Sequence, residues 1–193
     1  MKDSSCLLTL VKQKNLETVN LDLYDITFEY ALSVLPSALP SVQNLTMQAR
    51  LLLKSPWLVE TSYKFWQVKF LKMLMFHTDD DMHNILSLAS FLKAAPLIES
   101  LEIHWKQRLS GASQSAKYNY LRSVCFTGYE GDRGQLELLV HIVENAPALE
   151  FLTIDRTTRR GHRVNEHSGD MPGIAARKYL DGKLLPTTRL EII

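Results

Sequence analysis

A short apolar signature returns six times along this chain at near-regular intervals, and that recurrence limits the fold more than any other feature. Three copies are anchored by proline: PSVQNLTM from Pro40, PLIESLEI from Pro96 and PALEFLTI from Pro147. Each reads proline, any residue, apolar, two residues, Leu, any residue, apolar. Three more share the apolar part alone: LETVNL from Leu16, LKMLMF from Leu71 and LRSVCF from Leu121. Counted from Leu16, Val42, Leu71, Ile98, Leu121 and Leu149, the steps are 26, 29, 27, 23 and 28 residues. Residues two apart on a strand share a face, so the last two apolar positions of each copy point the same way. One copy cannot cover that face by itself; stacked neighbours can.

A second rhythm runs between the copies. Phe28, Ala31, Leu32 and Leu35 are spaced as the apolar stripe of a helix, as are Ile85, Leu88, Ala89 and Leu92, and Leu136, Leu139, Val140 and Val143. Pro96 and Pro147 stop the last two helices, and Pro36 should shorten or kink the first. Residues 48–66 and 111–119 show no clear helix, so helical and irregular connections should alternate. Period and core match leucine-rich repeats, without the Asn or Cys that usually closes their core. The fold class is therefore α/β, an irregular leucine-rich-repeat solenoid over 1–155 whose parallel strands are joined by right-handed crossovers. A flexible basic loop over 156–170 and a capping helix and tail over 171–193 should follow. That helix should start near Pro172, with Asp170 or Ser168 before it, and end at Gly182 and Pro186.

Composition removes several function classes. A formal net charge of +1 gives no global field to draw nucleic acid or an anionic membrane. Cys6 and Cys125 make no disulfide framework and read as reduced thiols. The apolar stretch near the start is too short for a secretory segment, and no run approaches a membrane span. The expectation is a cytoplasmic or nuclear protein.

The chain resembles the C-terminal part of plant F-box proteins with leucine-rich repeats and an FBD region. ILSLASFLKAAPLIESLEIHW over 85–105 is similar to that family's helix-plus-strand unit. LRSVCFTGYEGDRGQLELLVHIVENAPALEFLTID over 121–155 is similar to its FBD segment, with ENAPALEFLTID the closest stretch. Ala176, Arg177 and Leu180 resemble its last helix. The resemblance implies a substrate-recognition part of a Skp–cullin–F-box ubiquitin ligase. The family's F-box is expected to be absent here, because residue 1 already lies beside the first repeat. Adaptor binding is then not expected, and a truncated fragment or a competitor of full-length paralogues is the alternative.

Candidate site residues follow from strand alternation. The face opposite the core should carry Thr18, Asn20 and Asp22; Asn44, Thr46 and Gln48; Met73, Met75 and His77; Ser100, Glu102 and His104; Ser123, Cys125 and Thr127; and Phe151, Thr153 and Asp155. Such an open ladder suits another protein as partner, and outward Met73, Met75 and Phe151 would need covering. The matching buried row is Leu45, Leu74, Leu101, Val124 and Leu152. Glu102, His104 and Cys125 would be neighbours with the ingredients of a thiol nucleophile, but nothing supplies an oxyanion hole and no catalysis is expected. HTDDDMH over 77–83 has metal-like residues, yet it reads better as a helix cap with acids at the positive helix end; no metal or cofactor is expected. Arg156, Arg159, Arg160 and Arg163 offer an anion contact. Trp57, Trp66 and Trp105 read as core or edge packing.

Overall fold

The computed structural model describes residues 17–23, 28–49, 64–75, 84–104, 117–157 and 171–193. Among these, strand and helix follow one another as β1 Thr18–Leu23, α1 Phe28–Ala38, β2 Asn44–Ala49, β3 Phe70–Met75, α2 Asn84–Ala94, β4 Ser100–His104, β5 Ser123–Thr127, α3 Arg133–Asn145, β6 Phe151–Asp155, α4 Met171–Leu180 and β7 Arg189–Ile192. The strands form one 7-stranded sheet in the order β1-β2-β3-β4-β5-β6-β7, and every neighbouring pair is parallel. This is the α/β leucine-rich-repeat fold.

The units of β2, β3, β4, β5 and β6 are entered by the same turn. The N–H groups of Val42, Val68, Ile98, Leu121 and Leu149 bond to the carbonyls of Leu39, Phe65, Ala95, Tyr118 and Ala146, three residues earlier. Those five carbonyl residues are all buried. The residue after each is Pro40, Trp66, Pro96, Asn119 or Pro147, the turn position where a fixed proline φ is favourable. The carbonyls of Glu17, Gln43, Lys69, Glu99, Arg122 and Glu150 then each accept a backbone N–H from the start of the following strand, which sets the lateral register.

That register corrects one unit of the sequence reading. The third signature begins at Val68 rather than Leu71, so Leu71, not Leu74, stands beside Leu45 and Leu101. The buried row is Val19, Leu45, Leu71, Leu101, Val124 and Leu152, each at most 9% exposed. A second inward row runs Met47, Met73, Ile103, Phe126 and Ile154, all buried. Met73 is thus core, because a displacement by an odd number of residues exchanges the two faces of the strand. Trp66 holds the place of the proline that marks the register elsewhere.

β7 is a seventh strand that the six signatures do not include. Leu190 and Ile192 pair with Leu152 and Ile154 and pack on the edge of the core. The tail therefore ends in a further rung. α4 ends as expected at Gly182, whose φ of +72° suits glycine.

The helices cover the inner face of the sheet. α1 runs through Pro36 and is 11 residues long, as α2 is, so the proline does not shorten it. α2 seats Ala89, Phe91 and Leu92 in the core, with Phe91 stacked on Phe65 at 5.1 Å. α3 is rotated by about one residue from its expected stripe. Leu138, Leu139, Ile142 and Val143 are buried, while Leu136 and Val140 are only partly so. In the first turn of α3, buried Gln135 reaches back and accepts the N–H groups of Glu130 at 2.9 Å and Gly131 at 3.1 Å. Gly131 has φ +81°, and a Cβ there would meet Pro172 Cβ at 3.0 Å, so only glycine allows α4 this close.

A buried polar link fastens α3 to the turn before β5. His141 Nε2 lies 2.7 Å from Tyr118 Oη. Asn145 Nδ2 donates to the His141 carbonyl at 2.8 Å and lies 3.4 Å from His141 Nδ1. A ring that donates from Nε2 and accepts at Nδ1 satisfies both contacts, and a second ring proton would meet the Asn145 amide. Burial lowers the His141 pKa from its ordinary value, against a small opposing effect of Glu144. The folded state then favours the neutral ring, whereas the unfolded chain takes up a proton near the ordinary histidine value of about 6.5. This contribution to stability is complete above that value and declines as pH falls below it. The urea midpoint should drop between about pH 7.5 and about pH 5, and by less in His141→Gln, which keeps a hydrogen bond to Tyr118. An equal drop in the variant would remove His141 from this account.

Candidate partner-binding face

Opposite the core, lateral pairing lines up the outward side chains of the rungs. One line runs Thr18, Asn44, Phe70, Ser100, Ser123, Phe151, Arg189; the next runs Asn20, Thr46, Lys72, Glu102, Cys125, Thr153, Glu191. The strand pattern places them there, because each adjoins an inward-facing residue and successive strand residues alternate between the two faces. In β4 and β5 burial alternates strictly along the strand. Contacts cross from rung to rung, as where Asn44 Nδ2 donates to Thr18 Oγ1 at 3.3 Å.

The centre of this face is charged and only partly open to water. Lys72 Nζ donates to Glu102 Oε1 at 2.7 Å, and His104 Nε2 approaches the same oxygen at 2.5 Å. Burial raises the Glu102 carboxyl, but hydrogen bonds from Lys72 and His104, with their charge, outweigh it and leave the pKa below its ordinary value. Glu102 is therefore an anion at neutral pH, held by two donors in a fixed position. Cys125 sits beside Glu102 on the next rung and touches Thr127 Oγ1 at 4.0 Å. Burial pushes its thiol up; the Thr127 contact opposes this, and the Glu102 and Asp155 carboxylates reinforce it. The thiol is thus protonated at neutral pH, and the imidazole engages the carboxylate through Nε2. A fixed anion beside the thiol disfavours the thiolate, the form a thiol nucleophile needs.

The residues expected on this face divide as follows. Asn20, Thr46, Glu102, His104, Cys125, Phe151 and Thr153 lie on it. Phe151 is exposed there, at 50%. Met73 does not belong to it, being wholly buried. Met75 closes β3 opposite Ala49, and His77 lies outside the described residues. Lys72, Phe70 and Glu191 take part without having been expected; Leu74 pairs with His104 in the same alternation but is buried, 6% exposed. The even step of 26 residues from Leu16 to Val42 and again to Val68 could have found Lys72, and the Leu-Glu-Ile triplet at 101–103, repeated at 190–192, could have found Glu191.

The other readings fare differently. Arg156 is buried, 8% exposed, and its N–H bonds to the Ile193 carbonyl, so it belongs to the end of β6 rather than to a solvated anion site. Arg159, Arg160, Arg163, the HTDDDMH stretch, and Trp57 and Trp105 lie outside the described residues, as do the connections 50–63 and 105–116. Trp66 is 62% exposed and is not core. Among the described residues no cluster suited to a metal ion occurs, and no helix is long and apolar enough to cross a membrane. Away from the ladder, a groove of about 820 Å³ between α3 and α4 is lined by Leu136, Val140 and Tyr179 and spanned by an ion pair between Lys183 and Glu144.

In comparisons with known proteins, the family model described as At1g61320/AtMIF1, LRR domain, matches residues 2–182. No curated protein and no solved structure matches.

Proposed function

The chain belongs to the At1g61320/AtMIF1 leucine-rich-repeat domain family, and on that premise we propose that it is a non-catalytic protein-binding module whose partner lies on the outward face of the strands. The observation that carries this is the ion-paired centre of that face. Lys72, Glu102 and His104 are tied together and flanked by exposed or half-exposed Thr46, Cys125, Thr153 and Phe151. Such a row offers donors, acceptors and an aromatic in a fixed order on rigid strands, which is what selective protein recognition uses. A small net charge of +1 favours neither nucleic acid nor membrane as the partner.

The finer reading follows the resemblance of residues 121–155 to an FBD segment. It makes the chain akin to the substrate-recognition part of an F-box ubiquitin ligase subunit, working in the cytoplasm or nucleus. Adaptor docking is not assigned to these 193 residues, which resemble no F-box.

The test is site-specific photo-crosslinking in the cell. A photoreactive amino acid at Thr46 or Thr153, on the outward face, should yield one discrete crosslinked protein. The same group at Ser33 on α1 or Glu144 on α3 should not. Crosslinks from the helical positions alone would place the partner on the wrong face for this proposal.

A further inference from the structure

Three consecutive turns at the entry edge of the sheet expose large apolar side chains side by side. Trp66 is 62% exposed, Leu97 37% and Tyr120 55%. They precede β3, β4 and β5, which pair directly, and neighbouring parallel strands lie only about 4.8 Å apart. The core does not lack room for these turns, since Phe65, Ala95 and Tyr118 of the same turns fill it. Trp66 also stands where Pro40, Pro96 and Pro147 serve the turn in sister units. A tryptophan there gives no conformational advantage and leaves apolar surface in water.

The charge on these turns is mostly positive. Residues 64–70, 93–100 and 117–123 carry Lys64, Lys69, Lys93, Lys117 and Arg122 against Glu99. Lys69 pairs with Glu99 and Arg122 with Glu150, so the cations that bear on docking are Lys64, Lys93 and Lys117. Lys64 Nζ reaches the Lys93 carbonyl at 3.1 Å. Lys93 and Lys117 line one small cavity of about 240 Å³ with Pro96 and Tyr118. Lys64, Lys93 and Lys117 thus belong to the same neighbouring turns as the exposed side chains. The basic rim is local, because the whole chain carries only +1.

We propose that this edge is a second docking surface, distinct from the ladder, for an acidic segment of a partner protein that carries aromatic or aliphatic anchors. The apolar anchors pack on Trp66, Leu97 and Tyr120, and carboxylates meet Lys64, Lys93 and Lys117. A surface of this kind loses affinity with salt, because its cations are exposed.

The probe is a fluorescein-labelled synthetic peptide alternating Glu with Leu and Phe, titrated with the full 193-residue chain and followed by anisotropy. Binding is expected at low salt and should weaken as salt is raised. Lys93→Glu with Lys117→Glu, and separately Trp66→Ser with Tyr120→Ser, should each weaken it about tenfold or more, with circular dichroism unchanged. Thr46→Arg with Thr153→Arg, which blocks the ladder, should leave it unaltered, so this edge and the ladder fail or stand separately. The same peptide with Lys in place of Glu should not bind, a comparison that needs no variant. Indifference to both edge variants would overturn the proposal. So would failure to bind the acidic peptide, or sedimentation with phosphatidylserine vesicles in its place.

Discussion

Replacing Leu101 with alanine should lower the free energy of unfolding by about 2–5 kcal/mol, the range for truncating a buried leucine with a cavity left behind. Leu101 is fully buried in β4, the middle strand of the sheet. Leu71 and Val124 flank it in register, so the cavity cannot close from either side without shifting a neighbouring rung. In a repeat protein, stability is approximately a sum of unit terms and nearest-neighbour interfaces. A central rung takes part in two interfaces, whereas β1 has one described neighbour. Val19→Ala should therefore cost less: it removes fewer atoms from a position already 9% exposed. Chemical denaturation with a preserved m-value would read both effects. Equal losses at the two positions would mean that the inward row is not a continuous core.

Met73→Lys should be worse, leaving little or no folded protein. Met73 is fully buried between Met47 and Ile103. An ammonium placed there has no described acid to meet, and an unpaired buried charge costs several kcal/mol, a large part of the stability of an ordinary domain. The adjacent substitution Lys72→Met should change stability by no more than about 1 kcal/mol, because the Lys72–Glu102 pair is partly solvated. The two variants differ by one position and oppose each other in expected effect. Soluble, folded Met73→Lys protein would restore the register that starts at Leu71.

That pair also marks where the sequence stops being legible. Units led by Pro40, Pro96 and Pro147 can be read to the residue, because the proline fixes the turn and the turn fixes strand phase. The unit from Leu121 reads correctly as well, since Leu121, Val124 and Phe126 have no competing apolar set nearby. Around β3 the run VKFLKMLMF supports two phases, and only the lateral hydrogen bonds of Lys69 and Gln43 choose between them. The candidate face inherits this. The nearness of Glu102 to Cys125 follows from two well-marked units, but the ion pair with Lys72 depends on the ambiguous one. β7 was hidden because a longer connection containing α4 precedes it and no apolar residue fills its first signature position. α3 misleads by about one residue because Leu136 and Val140 look toward α4 and extend its apolar stripe beyond the face that meets the sheet.

The rungs and their shared outward face can be measured directly by alkylation of single cysteines. Cys6 and Cys125 would be replaced by serine, and one cysteine introduced at Thr46, Lys72 or Thr153, or at the adjoining Met47, Met73 or Ile154. The account predicts that the first three react with iodoacetamide in native buffer, while the second three react only when the chain is unfolded. A thiol at position 73 that reacts as readily as one at position 72, or protection at 46 and 153, would contradict it.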